Sequence, residues 1–192
     1  TKAFLKWRVW YLMSENTTTL NSGLNLLYPT IVSKSRLILD EDKMILPALE
    51  RNEISDTLKE VMVDEFDDYL SHIGKNLNDW DHYQIKSWIN KYEHGHPGME
   101  VHTHTGPHLS AIVIIECGMG GEIVFQDPRH FASRGYDLQF KPMFEPTVYH
   151  PKQGDVLIFP SFLYHGVRPT QHLRISAAFD MYLYSNSTPE PH

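Results

Sequence analysis

The second half of the sequence is a succession of short strand-forming runs with no helical run between them. These apolar, β-prone runs are Gln84–Tyr92, Leu109–Glu116, Glu122–Gln126, Gly154–Phe159 and Leu173–Tyr184. The Gly-rich stretch Cys117–Gly121 predicts a turn that pairs the second and third runs as a hairpin. Strands that follow one another without intervening helices favour an antiparallel sandwich or barrel over a parallel α/β sheet.

One amphipathic helix is predicted ahead of these strands. From about Asn52 to His72 apolar residues recur at spacings of three and four, which is the period of one helix face, and Gly74 marks a plausible end. The other face is rich in Asp and Glu and is typical of a solvated surface. We therefore expect a mainly β fold with an amphipathic helix packed outside it.

Composition limits the class of protein. The chain has 192 residues, of which 41% are hydrophobic, and no repeat, linker or composition shift divides it, so we expect a single domain over residues 1–192. One cysteine, no signal peptide and no apolar run near the ~20 residues of a membrane span favour a cytoplasmic protein that does not enter a membrane. The net charge of -7 argues against nucleic acid as a partner.

The histidines indicate a metal site. There are 12 in the chain, and His102 and His104 stand two residues apart where the chain enters the Leu109 strand. Residues i and i+2 of an extended segment point to the same side, so both imidazoles could grip one ion. His165 follows the Gly154–Phe159 strand. Two neighbouring ligands and one distant ligand are the usual form of a catalytic mononuclear site, which keeps positions open for substrate or oxygen.

Arg174 indicates a carboxylate ligand. Alternation along the last strand places Arg174, Ser176 and Ala178 on one face. A buried guanidinium without a partner costs several kcal/mol, and its planar fork binds a carboxylate with two hydrogen bonds. The sequence leaves open whether that acid belongs to the protein or to a ligand, and an outward-facing arginine is the third reading.

Taken together, these residues resemble the iron(II)- and 2-oxoglutarate-dependent oxygenases. That superfamily carries a strand His-x-Asp/Glu, a distal His and, shortly after it, an Arg-x-Ser. The matching positions are His102-Thr103-His104, His165 and Arg174-Ile175-Ser176. Upstream, Asn90-Lys91-Tyr92 resembles the Asn-x-Tyr that precedes the first ligand in AlkB-type members.

A more detailed resemblance, over about residues 27–183, is to a subgroup of bacterial and phage oxygenases with a His-x-His motif. Several ordered motifs at consistent spacing are more specific than any one of them. In chain order they are Tyr28-Pro29-Thr30, Trp88-Ile89-Asn90, His102-Thr103-His104, Leu109-Ser110, Phe125-Gln126-Asp127-Pro128-Arg129, Gly154-Asp155, Phe159-Pro160-Ser161, His165-Gly166-Val167 and Arg174-Ile175-Ser176.

The resemblance implies a fold, cofactors and a reaction. The fold would be a double-stranded β-helix, the cupin-like jelly roll. Fe(II) would be held by His102, His104 and His165, and 2-oxoglutarate by Arg174 and Ser176 with contacts from Asn90 and Tyr92. Ascorbate is a candidate stimulant. The reaction would consume O2 and 2-oxoglutarate, release succinate and CO2, and hydroxylate an unactivated C–H bond. The leading substrate would be a prolyl or asparaginyl/aspartyl side chain of a protein or peptide, and a small molecule is another candidate.

Several alternatives stay open at this point. His104 stands where most of the superfamily has Asp or Glu, so either His104 is the third ligand, or Asp127 supplies a carboxylate, or the site lacks that ligand, as in relatives with His-x-Gly, here His104-Thr105-Gly106. His108 is a candidate for the cavity mouth, and Arg129 either contacts substrate or pairs with Asp127. The alternative functions are a three-histidine cupin dioxygenase without 2-oxoglutarate, an AlkB-type demethylase and a non-catalytic metal-binding cupin module.

Overall fold

The structure is a computed structural model that describes residues 30–129 and 145–185. Tyr28 and Pro29 of the predicted opening motif lie outside these residues. The strands of the described part are β1 (Ser33–Arg36), β2 (His82–Tyr92), β3 (Met99–His102), β4 (Leu109–Glu116), β5 (Ile123–Phe125), β6 (Thr147–Tyr149), β7 (Asp155–Pro160), β8 (His165–Val167) and β9 (Arg174–Tyr184).

The strands form two sheets. One has five strands in the order β1-β7-β4-β9-β2, and the other has four in the order β3-β8-β5-β6. Every strand pair is antiparallel. The expectation of a mainly β fold of antiparallel sheets is therefore confirmed.

Two α-helices precede β2. Helix α1 (Leu46–Arg51) follows a π-helical turn at Glu41–Ile45, and α2 (Asp56–His72) is the predicted amphipathic helix. It begins at Asp56 rather than near Asn52 because the Ser55 side chain caps it by accepting from the Leu58 N–H at 3.2 Å. In the described part of the chain, every helix falls short of the length or the apolar content that crossing a bilayer requires.

The five-stranded sheet is buried on both faces. On its outer face Val113 and Phe179 belong to one apolar cluster with Leu58, Met62 and Phe66 of α2. On its inner face a second cluster joins the two sheets, with the members Ile112, Ile114, Ile123, Phe125, Leu157, Phe159 and Leu163. Strand β4 is consequently buried at every residue except its last, and the helix packs outside the sheets as expected.

The predicted hairpin is wrong. Strands β4 and β5 follow one another in the chain but do not pair, because β4 lies between β7 and β9 while β5 lies between β6 and β8 in the other sheet. The segment 117–121 carries the chain from one sheet to the other. Sequence proximity favours a hairpin locally, but both faces of β4 need apolar partners, and pairing in separate sheets supplies them.

Candidate functional site

The predicted site residues line one cavity of about 240 Å³ between the two sheets. Strand β2 contributes Trp88, Asn90 and Tyr92, and β9 contributes Arg174, Ser176 and Ala178. The remaining wall comes from β3, β4, β7 and β8 and from the loop after β3, and it consists of Met99, His102, His104, Ser110, Ala111, Ile112, Phe159, His165 and Val167. The fold thus brings together the seven predicted site residues, which come from three separate segments of the sequence: Asn90, Tyr92, His102, His104, His165, Arg174 and Ser176.

Three imidazoles converge at one side of this cavity. Ligand atoms of His102, His104 and His165 all lie within 4.8 Å of one another, and the Nε2 atoms of His102 and His104 are 3.2 Å apart. Strands β3 and β8 pair with His102 opposite His165, which explains how residues distant in sequence meet. Three nitrogen donors at these separations could hold one divalent metal ion and leave further coordination positions open.

The second nitrogen of each ring sets its tautomer. Nδ1 of His102 lies 2.8 Å from the Glu100 carbonyl oxygen, and Nδ1 of His165 lies 2.9 Å from the Leu163 carbonyl oxygen. Nδ1 of His104 lies 2.7 Å from Oδ1 of Asp180. Carbonyl and carboxylate oxygens can only accept, so each Nδ1 carries the hydrogen and each Nε2 keeps a lone pair for a metal.

His165 is the most enclosed of the three. It is 5% exposed, and its ring centroid lies 4.7 Å from that of Phe159. Burial, which penalises the charged imidazolium, lowers the pKa of His165 to about 4. The ring is therefore neutral at neutral pH, which is the form that binds a metal ion.

Arg174 lies in the same cavity with an unbalanced charge. It is 2% exposed, and its Nη1 donates to Ser176 Oγ at 2.9 Å. Among the described residues, Nε and Nη2 of Arg174 have no hydrogen-bond partner. Burial lowers the pKa of Arg174, yet a guanidinium stays charged in proteins. A carboxylate entering the cavity would satisfy both nitrogens.

The neutral neighbours of Arg174 do not balance its charge. Its guanidinium carbon lies 5.5 Å from the ring centroid of Tyr92, a cation–π contact. Burial raises the pKa of Tyr92 and, together with Glu116, that of Cys117, so the phenol and the thiol stay protonated. Gly121 packs against the arginine stem, where a Cβ would stand 2.7 Å from Arg174 Cδ. The cavity thus combines a metal-binding donor set with a fixed cation suited to an acid.

Three other residues that the sequence singled out lie outside this arrangement. Asp127 is not part of the histidine cluster; its Oδ1 accepts from the Arg129 N–H at 2.7 Å, and its Oδ2 accepts from Arg129 Nη2 at 2.9 Å. His108 does not line the cavity, and its Nδ1 accepts from the Leu183 N–H at 3.2 Å.

Sequence reasoning missed Asp180. Its carboxylate is 7% exposed, forms the hydrogen bond with His104, and accepts from Ser110 Oγ at 2.7 Å. The signal was present, because the alternation that places Arg174, Ser176 and Ala178 on one face of β9 reaches Asp180 at the next step.

Residues 86–180 match the family model described as "Putative 2OG-Fe(II) oxygenase". The matched segment contains all the cavity residues that the sequence predicted. A comparison with curated proteins found no match.

Solved structures with a similar fold are also oxygenases. A Pseudomonas putida prolyl-4-hydroxylase is 13% identical with a TM-score of 0.55, and the match covers 83% of this chain and 88% of that one. The viral collagen prolyl hydroxylase from Paramecium Bursaria Chlorella virus-1, solved as its 2OG complex, is 13% identical with a TM-score of 0.51, over 80% and 96% of the two chains. At these identities the likeness concerns the fold, and it agrees with the expected double-stranded β-helix. The family model over residues 86–180 confirms the expected resemblance of this chain to the iron(II)- and 2-oxoglutarate-dependent oxygenase superfamily.

Proposed function

We propose that this protein is an Fe(II)- and 2-oxoglutarate-dependent dioxygenase that hydroxylates an unactivated C–H bond. In the balanced reaction, O2, 2-oxoglutarate and the C–H substrate give succinate, CO2 and the alcohol. Bound Fe(II) would supply the oxygen chemistry, which side chains alone do not provide.

The chain's own residues bind and orient the reactants. His102, His104 and His165 hold the metal through Nε2, since each Nδ1 is engaged elsewhere. Arg174 and Ser176 bind the remote carboxylate of 2-oxoglutarate, while Asn90 and Tyr92 line the space between. The mostly apolar wall limits water around the reacting atoms.

The observation that carries this proposal is the buried Arg174 with two unpartnered nitrogens in the cavity that also contains the three histidines. A metal-binding module or a three-histidine dioxygenase that uses no 2-oxoglutarate has no need of such a cation. The guanidinium therefore favours an acidic co-substrate over these alternatives. The net charge of -7 opposes an AlkB-type demethylase, whose nucleic-acid substrate is a polyanion.

The leading substrate is a prolyl or asparaginyl/aspartyl side chain of a protein or peptide. Trp88 and Met99 line the cavity and are each 38% exposed, so they stand where a substrate would enter. Ile112, Phe159 and Val167 continue the wall inward. An aliphatic C–H bond fits such a wall, and a small apolar molecule is the second candidate.

Succinate release tests the activity. Purified protein with Fe(II), ascorbate and 2-oxoglutarate should form succinate slowly without substrate, and peptides that contain proline or asparagine should be screened for stimulation. His165→Ala should abolish turnover and bound iron, whereas His150→Ala, outside the cavity, should change neither. Turnover that survives His165→Ala would remove the triad from the proposal.

Arg174→Met tests the co-substrate assignment. We compare the affinity for 2-oxoglutarate with that for 2-oxobutyrate, which lacks the remote carboxylate. The wild type should prefer 2-oxoglutarate by roughly 30-fold or more, because a buried charge pair contributes a few kcal/mol. Arg174→Met should lose that preference, and the matched variant Arg51→Met, which changes an exposed arginine of α1, should keep it. Equal affinities in the wild type would contradict the role of Arg174.

A further inference from the structure

The three histidines differ in what holds them. His102 and His165 donate from Nδ1 to neutral backbone carbonyls, whereas His104 donates to a carboxylate. Both oxygens of Asp180 are within reach of His104 Nδ1, at 2.7 Å and 2.9 Å. His104 is also the residue that stands where the superfamily most often has an acidic ligand. The carboxylate of Asp180 therefore lies behind His104, the neutral ligand at the position where related sites have an acidic one.

Asp180 is held in place by a network of its own. Ser110 Oγ donates to Asp180 Oδ1 at 2.7 Å and lies 2.9 Å from Ser161 Oγ. The Ser161 carbonyl in turn accepts from the His104 N–H at 3.1 Å. Ser110 stands opposite Asp180 in the pairing of β4 with β9. Asp180, Ser110 and Ser161 are all buried, so the hydrogen bonds of this network are shielded from solvent and fix the carboxylate beside His104.

Basic side chains near Asp180 could also take up its charge. Within residues 30–129 and 145–185, His104 is the one basic side chain that reaches the Asp180 carboxylate, at 2.7 Å. Lys86 stands opposite Asp180 in the pairing of β2 with β9, but its Nζ lies over the ring of Tyr182, at 4.9 Å from the centroid. No other basic side chain in the described part of the chain pairs with this carboxylate, and the neutral Ser110 hydroxyl is a second donor to it.

We propose that Asp180 is a positioning residue that supplies, through His104, the negative charge that three neutral imidazole ligands lack. This inference rests on the proposed function, in which the triad binds Fe(II). By accepting from Nδ1, the carboxylate keeps Nε2 free, fixes the ring orientation and makes Nε2 a stronger donor. The site then has the net charge of a two-histidine, one-carboxylate site with the acid placed behind the ligand.

Asp180→Asn separates the charge from the hydrogen bond, since the amide oxygen can still accept from Nδ1. The measurement is the affinity for Co(II), by competition with a chelator, together with the visible absorption spectrum of the bound Co(II). We expect Asp180→Asn to weaken Co(II) binding by 10-fold to 100-fold, in the range found for such partners of metal ligands, and to alter the spectrum. Ser110→Ala, which leaves the carboxylate but removes a donor to it, should weaken binding less.

Asp155→Asn is the matched control. Asp155 is also a buried carboxylate, with no side-chain exposure, but it does not line the cavity. Its variant should lose stability and keep Co(II) affinity and spectrum.

A double variant tests the charge directly. His104→Asp moves a carboxylate into the ligand position beside Asp180, and His104→Asp with Asp180→Asn leaves one carboxylate. In the His104→Asp background there is no imidazole for Asp180 to act through, so adding Asp180→Asn should cost much less Co(II) affinity than it costs in the wild type. If Asp180→Asn does not fold, Ser110→Ala and this pair of variants decide.

The outcomes separate the two proposals. If the wild type does not bind Co(II), or if His165→Ala binds it equally well, the proposed function fails. If the wild type binds through the triad but Asp180→Asn keeps its affinity and spectrum, the role of Asp180 is overturned and the proposed function stands. If Asp180→Asn costs the same Co(II) affinity in the wild type and in His104→Asp, Asp180 does not act through the imidazole, and its assigned role is overturned.

Discussion

Arg174 shows at the scale of one residue how function and stability oppose each other. Its guanidinium is buried away from water, and within the described residues only Ser176 accepts a hydrogen bond from it. A buried charge without a partner costs several kcal/mol, whereas an apolar side chain of similar size does not. We infer that the protein tolerates this cost because the cation is needed when an acid binds.

Arg174→Met should therefore stabilise the ligand-free protein. We expect the free energy of unfolding to rise by about 2 kcal/mol and Tm by roughly 5 °C, because an uncompensated charge is replaced by an apolar chain. Thermal unfolding, with the metal bound and without 2-oxoglutarate, measures the free energy of unfolding and Tm. Addition of 2-oxoglutarate should raise Tm of the wild type and not that of the variant. A lower Tm for ligand-free Arg174→Met would show that the cation already has a partner in the folded chain.

At the scale of one element, the two faces of strand β9 have different roles, one in the cavity and one in the hydrophobic core. Arg174, Ser176 and Ala178 line the cavity, whereas Ile175, Ala177 and Phe179 belong to the apolar cluster beneath α2. One strand therefore anchors the hydrophobic core and presents the polar groups of the site.

A second junction between elements lies away from the cavity. Asp155, at the start of β7, accepts from Arg36 Nη2 of β1 at 2.9 Å and from the Tyr149 hydroxyl of β6 at 2.5 Å. It therefore connects the two sheets. Burial alone would raise the pKa of Asp155, but hydrogen bonds from Tyr149, the Lys152 amide and Arg36 outweigh it, so that the pKa is lowered.

Asp155→Asn should destabilise the protein in a pH-dependent way. A carboxyl with a lowered pKa in the folded state stabilises it above the unfolded value of 3.8, and this contribution is lost as pH falls through the folded pKa. At pH 7 we expect a loss of about 2 kcal/mol, and below pH 3.8 the difference from wild type should shrink. Urea unfolding at several pH values measures it. Asp64→Asn, at an exposed position of α2, should have little effect at any pH, and a constant difference for Asp155→Asn would contradict this account.

At the scale of the whole fold, the described residues form two apolar clusters, and of these the cluster between the sheets contacts the candidate metal site. Phe66 packs between α2 and the outer face of the five-stranded sheet, and Phe159 packs between the sheets beside His165. Both side chains are 0% exposed. Phe66 and Phe159 are equally buried, but only Phe159 contacts a histidine of the triad, so their variants separate global stability from local packing.

Phe66→Ala and Phe159→Ala should differ in their effect on metal binding. Each should lower the free energy of unfolding by about 4 kcal/mol, since a buried Phe leaves a large cavity. Only Phe159→Ala should also weaken Co(II) binding, because it removes the ring that packs on His165. Urea unfolding and chelator competition measure the two quantities. Equal loss of metal affinity in both variants would mean that the site depends on global stability rather than on local packing.

Much of the candidate site was predictable from the sequence because its motifs depend on local spacing. His102 and His104 are two positions apart on extended chain, and Arg174 and Ser176 share a strand face, so period-two alternation was enough to group them. The existence and the C-terminal end of α2, and the identity of the long strands, followed from the same kind of periodicity, whereas its start was predicted about four residues too early.

Pairing between distant segments was not predictable in this way. The hairpin between β4 and β5 failed because local turn chemistry does not specify which sheet a strand joins. The contact of His104 with Asp180 spans 76 positions, and it depends on the pairing of β4 with β9 and on the His104 N–H, which donates to the Ser161 carbonyl and holds the loop before β4. The sequence by itself determined the long strands, their faces and the candidate ligands, since these depend on neighbours along the chain, and it did not indicate the short strands β3, β6 and β8. The tertiary structure decided which strands pair, that Arg174 is buried without a partner among the described residues, and that a carboxylate stands behind His104, because burial and long-range contacts arise only when both sheets close around the cavity.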